Sequence, residues 1–168
     1  MKKLEIASYV AVLCSCALLA YVLLTQYVFN PGAVANAPQA RQPTLGRTIA
    51  LANVNWAGSD RSIVLAISSH CGYCMRSTSF YHRLSEERNS RHAKTRLVAV
   101  MAEGQSSASS FLDQNHVSVD QVATAPLSAV GVDATPTLLL VDGHGKVLRE
   151  WVGLLDASGE KQVISQLD

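Results

Sequence analysis

The sequence predicts an α/β domain built around a mixed central sheet flanked by helices, and three features predict it. Ser62–Ser68 and Arg96–Ala102 are continuous apolar runs of strand length, the pattern of strands buried on both faces. Each is followed by a stretch able to form a helix. Thr137–Val141 and Val147–Trp151 flank Asp142-Gly-His-Gly145, a strong hairpin signal.

Taken in order, Thr48–Trp56 alternates weakly and reads as an entry strand, ahead of the first central strand at Ser62–Ser68. Cys74–Arg88 lacks Gly and Pro and reads as one helix, with Phe80, Tyr81 and Leu84 toward the core and its Arg and Glu residues outside. After the strand Arg96–Ala102, a Ser-rich start opens a short amphipathic helix over Ser106–His116. Val117–Val132 holds a short strand and a turn. The hairpin follows, and Asp156–Leu167 closes the domain as a helix. Trp56 and Trp151 belong in the core or at its edge, with no cofactor implied. No internal repeat is present.

Composition narrows the function classes. Apolar content of 48% excludes a disordered chain. The 14 Lys and Arg nearly cancel the 13 Asp and Glu, so the footprint of a nucleic-acid binder is missing. Arg76, Arg83, Arg88, Arg91, Lys94 and Arg96 form a basic run, which reads as a solvated helix face or as a surface for an acidic or lipid partner. The 4 cysteines are too few for a disulfide scaffold, and they fall in two close pairs.

Residues 6–29 carry no charge and are long enough, at about 1.5 Å per residue, to span a hydrocarbon core of about 30 Å. Lys2 and Lys3 precede the segment and no Lys or Arg lies in Asn30–Ala40, so the N-terminus, residues 1–5, belongs in the cytoplasm and the domain outside it. The segment is therefore expected to be a single-pass anchor in the cytoplasmic (inner) membrane. A cleaved signal peptide, with Ala-Val-Ala at 33–35 or Ala-Asn-Ala at 35–37 as the cleavage site, and a lipoprotein built on Cys16 are the alternatives. All three put the domain in the same periplasmic or extracytoplasmic space. Residues 30–44 read as a flexible tether and residues 45–168 as the folded domain.

The chemistry concentrates at Cys71-Gly72-Tyr73-Cys74, directly after a buried strand and at the mouth of a helix. Cysteines at i and i+3 share a helix face, about one turn apart, and are close enough to bridge with modest adjustment. The first sits among the unpaired N–H groups of the helix start, which favours thiolate, the attacking species in disulfide exchange. Cys71 thus reads as nucleophile and Cys74 as resolving thiol. A structural disulfide would close too short a loop to add much stability. Half of a zinc site would need a second pair, and Cys14 and Cys16 lie in the membrane segment. No metal is expected. Thr135-Pro136 stands just before an apolar strand, where a proline that cannot donate to the ladder belongs.

With these motifs together, residues 45–168 resemble the thioredoxin superfamily, and within it the membrane-anchored extracytoplasmic thioredoxin-like reductases that serve cytochrome c maturation. The likeness rests on the strand before the motif, Cys71-Gly-Tyr-Cys74, Ala134-Thr-Pro136-Thr before a strand, and Leu-Val-Asp-Gly-His-Gly-Lys146 closing a hairpin. It implies a thioredoxin fold with a strand–helix insert, which residues 103–130 would supply. It also implies a cis Thr135–Pro136 bond facing the cysteines, with the Thr135 backbone pairing with a bound substrate strand. His70, Gly72 and Tyr73 complete the active-site loop. The activity implied is thiol–disulfide exchange with extracytoplasmic protein substrates, as a reductant recharged by a membrane thiol electron donor, with no bound cofactor.

This chain departs from the family at three positions. Leu65 stands where thioredoxin has a buried acid, Ser77 where many anchored reductases have a glutamate, and His70 where tryptophan usually precedes the first cysteine. Proton removal from Cys74 then falls to water or another group. His70, if protonated, would stabilise the Cys71 thiolate; the alternative is a solvent-facing loop residue. The Gly-Tyr dipeptide and Thr135 also resemble disulfide isomerases, so an oxidase or isomerase is the alternative within the class. A copper chaperone on the same fold, with His116 and His144 as extra ligands, is the alternative outside it. The Pro and Thr expected beside a peroxidatic cysteine are absent from Ala66–His70.

Overall fold

The two apolar runs form the centre of the sheet. β1 (Arg61–Ala66) and β2 (Arg96–Met101) are parallel neighbours, with Ile63 opposite Leu97 and Leu65 opposite Ala99. Both are buried on both faces, which is why neither shows polar alternation. The structure, a computed structural model, describes residues 44–167 together with 14, 15, 17, 18 and 21. Those last five are helical and exposed. The rest of the expected anchor and nearly all of the tether lie outside the described residues. Among the described residues no helix is long and apolar enough to cross a membrane.

The connection from β1 to β2 is helical, but it is two helices where the sequence reads as one. α1 (Gly72–Arg76) gives way at Ser77 to α2 (Thr78–Ser90). Ser77 causes the break locally. Its N–H is shared between the carbonyls of Tyr73 and Cys74, both at 3.1 Å, and its hydroxyl donates back to Tyr73 O at 2.9 Å. Such side-chain back-bonding competes with the regular ladder and bends helices without Gly or Pro. α2 buries Phe80, Tyr81 and Leu84, as its periodicity requires.

After β2, α3 (Gln105–Gln114) leads to the edge strand β3 (Gln121–Thr124), parallel to β2. A single 3-10 turn at Leu127–Val130 follows, closed by Gly131 at φ 72°. β4 (Thr137–Asp142) returns antiparallel to β1, β5 (Val147–Val152) pairs antiparallel with β4, and α4 (Ala157–Ile164) closes the chain with Asp156 as its cap. The strand order is β3-β2-β1-β4-β5, a mixed sheet. The expected insert thus contributes α3 and β3.

The entry strand expected at Thr48–Trp56 does not form. Thr48 makes one isolated bridge to Lys146, and the chain then crosses a face of the sheet and ends in a 3-10 turn at Trp56–Gly58. Its apolar residues Ile49, Leu51, Val54 and Trp56 are nevertheless buried, so the weak alternation reported burial and not pairing. Trp56 Nε1 donates to Ile49 O at 3.1 Å. The β4–β5 turn fits beneath this segment only because position 145 is glycine. A Cβ on Gly145 would lie 2.7 Å from Trp56 Cδ1 and 2.8 Å from Ile49 O, at φ +78°.

Four of the six residues of the basic run are answered within the domain. Arg88 binds Asp120, Arg83 pairs with Glu160 and Arg91 with Glu87, while Arg96 reaches Asn55 O and Gln121. Trp151 is buried at the core edge, as expected.

Candidate active site

β1 runs out through Ile67 into the loop Ser68–Ser69–His70, and Cys71 follows as the cap of α1 with extended backbone, φ −91° and ψ 116°. This conformation aims its sulfur back over the helix start, where Cys71 Sγ accepts from Cys74 N at 3.4 Å. The Cys71 thiol donates to Thr135 O at 3.3 Å. Thr135 arrives because the Thr135–Pro136 bond is cis, as the resemblance implies, and Pro136 O is tied to Gly153 N at 2.7 Å. Residues 64 positions apart in the chain thereby face each other.

Both cysteines are thiols in this structure, and their surroundings differ sharply. Burial opposes ionisation of Cys71, but hydrogen bonds from the Thr135 hydroxyl, from Cys74 and from the Tyr73 backbone outweigh it and set the thiol below its ordinary value. Cys74 is fully buried, and burial pushes it up to about 12, against a partial offset from the Ser68 backbone. One sulfur is reachable and easily ionised; the other is enclosed and held as thiol.

The remaining expected residues surround Cys71. Tyr73 and Met75 are exposed, with the Arg76 guanidinium 5.7 Å from the Tyr73 ring centre. A Cβ on Gly72 would meet nothing within 4 Å, so that position leaves the approach to Cys71 open. A cleft of about 420 Å³ lies beside the loop, lined by Ser69, Met75, Ser106, Ser110, Phe111 and Gln114. His70 is exposed and its ring turns away to Ser69 Oγ at 3.1 Å and Glu103 Oε1 at 3.4 Å.

Glu103 is the residue that sequence reasoning missed. Its Oε1 accepts from Ser68 Oγ at 2.6 Å, from Ser69 N at 2.8 Å and from Ser69 Oγ at 3.2 Å, besides facing His70. Burial would raise this carboxyl, but the Ser68 hydroxyl, the Ser69 and Glu103 backbone N–H groups and His70 hold it down at about 2. It is thus ionised at neutral pH and ties down the loop that carries Cys71. The signal was positional: a carboxylate just past the carboxyl end of β2, beside the strand that carries the motif, where α/β sites gather. Leu65 and Ser77 bring no acid to the site; Leu65 is buried in β1 and Ser77 forms the helix junction.

The extra ligands of the copper reading are not brought to the cysteines. His116 lies against His82, ring centres 6.2 Å apart, and His144 sits in the β4–β5 turn with its N–H on Asp142. Among the described residues no three His, Cys, Asp or Glu gather as a metal site.

A thioredoxin-like domain family matches residues 50–167. Among solved structures the chain is similar to the thiol:disulfide interchange protein DsbE of Chlorobium tepidum, at 27% identity and a TM-score of 0.50, covering 67% of this chain and 83% of that one. The thioredoxin domain of a thiol-disulfide oxidoreductase from Bacteroides vulgatus is similar at 13% identity and a TM-score of 0.58, covering 76% of this chain and 100% of that one. StoA of Bacillus subtilis is similar at 16% identity and a TM-score of 0.52, covering 66% and 84%. No curated protein sequence matches the chain.

Proposed function

The chain belongs to the thioredoxin-like domain family, and we propose on that premise that it is a membrane-anchored thiol–disulfide oxidoreductase that reduces disulfides of extracytoplasmic protein substrates. The class follows from the family and from the interchange protein it resembles. The single observation that carries the mechanism is the contrast between the two thiols, Cys71 lowered and accessible, Cys74 buried and raised.

In this reading the Cys71 thiolate attacks a substrate disulfide and forms a mixed disulfide, releasing one substrate thiol. Cys74 then attacks Cys71 Sγ, releases the second substrate thiol and leaves Cys71–Cys74 oxidised. Two electrons pass from the cysteine pair to the substrate, and no bound cofactor enters. Thr135 O is occupied by the Cys71 thiol in the resting state. Ionisation of Cys71 removes that donor and frees the carbonyl to accept from a substrate strand laid beside the cis-Pro136 turn. His70, Gly72 and Tyr73 form the rim over which the substrate enters.

Anchoring rests on the apolar segment 6–29 and its flanking lysines. A reductant outside the cytoplasm needs recharging, and the anchor would bring the domain to a membrane thiol donor. Cytochrome c maturation is the setting its likeness to anchored reductases supports. The test is the reduction potential of the Cys71–Cys74 couple, equilibrated in glutathione and dithiothreitol buffers. A value near or below about −250 mV is expected for a reductant. A value of about −120 to −180 mV would reassign the chain to oxidase or isomerase.

A further inference from the structure

Four buried side-chain atoms among the described residues have no hydrogen-bond partner, and one of them is the Tyr81 hydroxyl. Buried tyrosines ordinarily place that hydroxyl on a partner, because leaving it idle costs free energy. Tyr81 is fully buried and belongs to the same core cluster as Cys74. The spacing explains the proximity. Cys74, Ser77 and Tyr81 fall at i, i+3 and i+7, one face carried across the α1–α2 junction, where Tyr81 N bonds to Ser77 O at 3.0 Å. Ser77 is the neighbouring hydroxyl, but no hydrogen bond joins it to the phenol, and it donates to Tyr73 O instead. Charge on either cysteine is felt at Tyr81.

The exchange reaction needs such a group. Cys74 must become an anion in apolar surroundings to attack the mixed disulfide, and neither Leu65 nor Ser77 supplies a carboxylate there. Glu103 holds the Ser68–His70 loop through Oε1 and leaves Oε2 buried without a partner, but as a carboxylate it has no hydrogen to donate to a thiolate. Resting on the oxidoreductase reading above, we propose that Tyr81 is the hydrogen-bond donor for the Cys74 thiolate, its hydroxyl idle while Cys74 is a thiol and turned onto Cys74 Sγ as that sulfur ionises.

Tyr81 acts as donor and not as base. Burial pushes its phenol above the ordinary range, so it keeps its proton throughout. The balance is then simple. Cys74 loses its proton to solvent, the Cys74 Sγ–Cys71 Sγ bond forms, the bond from Cys71 Sγ to the substrate sulfur breaks, and the departing substrate thiolate takes up a proton. Two electrons leave with the substrate. A hydrogen bond to a charged group shifts an equilibrium about ten- to a hundredfold. Its loss therefore weakens the resolving step and leaves the first attack alone.

The experiment uses the full chain, reduced, and the chromogenic disulfide dithiobis(nitrobenzoate). Attack by Cys71 releases one thionitrobenzoate and resolution by Cys74 releases a second, so stopped-flow absorbance separates the two steps. For Tyr81→Phe the first phase is expected at the wild-type rate. The second is expected to slow about tenfold or more, with its rise displaced to higher pH. Thermal stability should be equal or higher, since an unpartnered buried hydroxyl is gone. A second phase within twofold of wild type at every pH overturns the proposal. A wild-type chain that gives no second phase overturns the oxidoreductase reading itself, a distinguishable failure. Should Tyr81→Phe lose the fold, Tyr81→3-fluorotyrosine keeps the ring and makes a stronger donor. It is expected to speed the second phase, and an unchanged or slower phase overturns the proposal.

Discussion

On one face of the sheet, Ile63, Leu65 and Ile67 meet Cys74, Phe80, Tyr81 and Leu84 from the helices; on the other, Val64 and Ala66 meet Ile49, Val54, Trp56 and Val130 from segments with no long helix. Both layers are buried to a similar depth. They differ in what they hold. The helix-covered layer contains a thiol and a phenol, both shifted by burial, next to the loop that presents Cys71. The other is mostly aliphatic, and Trp56 there has its ring N–H bonded. Alternation along β1 sends odd-numbered residues to one layer and even-numbered residues to the other, so a single strand serves chemistry on one side and stability on the other.

The largest expected effects divide along that line. Cys71→Ser should abolish exchange, and Cys74→Ser should accumulate mixed disulfides, both with little change in folding midpoint; insulin reduction at the wild-type rate by Cys71→Ser would remove the nucleophile assignment. Trp56→Ala on the opposite layer should lower stability by about 3–5 kcal/mol, since it empties a large buried site that the β4–β5 turn and Ile49 enclose. Its exchange rate per folded molecule should be unchanged. A shifted Cys71 thiol titration in Trp56→Ala would show that the two layers are coupled and break the comparison.

What the sequence disclosed follows the same physics. β1, β2 and the β4–β5 hairpin were legible because a strand buried on both faces and an Asp-Gly turn leave local signatures. The cysteine pair was legible from its i, i+3 spacing after a buried strand, and the cis Thr135–Pro136 turn through family likeness. The helix break at Ser77 was hidden because it arises from one shared N–H and one hydroxyl, with no Gly or Pro to mark it. The burial of Ile49 and Val54 was legible, while their lack of strand pairing was not, because apolar alternation records only which side is covered. Glu103 left only its position after β2 as a signal, for a different reason. Its partners lie 33–35 positions earlier in the chain and meet it only through the β1–β2 pairing.

Glu103 gives the intermediate effect, since it bolts the helix-layer loop without touching the other layer. Its side chain is 14% exposed and its carboxyl is lowered from 4.5 to about 2. A carboxyl depressed on folding stabilises the fold fully above its unfolded value, and that contribution is lost as pH falls through the folded value. The expected contribution is about 2–3 kcal/mol at neutral pH, disappearing between about pH 5 and pH 2. Urea midpoints of wild type and Glu103→Gln across that range should therefore converge at the acid end. Midpoints that stay equally far apart at every pH would mean that the carboxylate's charge is not what holds the loop.

The smallest effect belongs to His70, although it stands next to the nucleophile. Its side chain is 84% exposed, and its ring nitrogen faces Glu103 Oε1 at 3.4 Å, longer than the bonds that oxygen already accepts from Ser68 and Ser69. An exposed pair of this kind contributes little, about 0–1 kcal/mol, and salt screens it. The Cys71 thiol is lowered instead by the Thr135 side chain and by the start of α1. His70→Ala should thus change the rate of Cys71 attack by less than about threefold and stability by about 0.5 kcal/mol at most. The pH profile of attack, followed by thiol alkylation from about pH 5 to pH 8, should keep its shape. If a step in that window were present in wild type and absent from His70→Ala, the imidazolium would be acting on the thiolate after all. The helix-layer site would then extend into the solvent-facing loop.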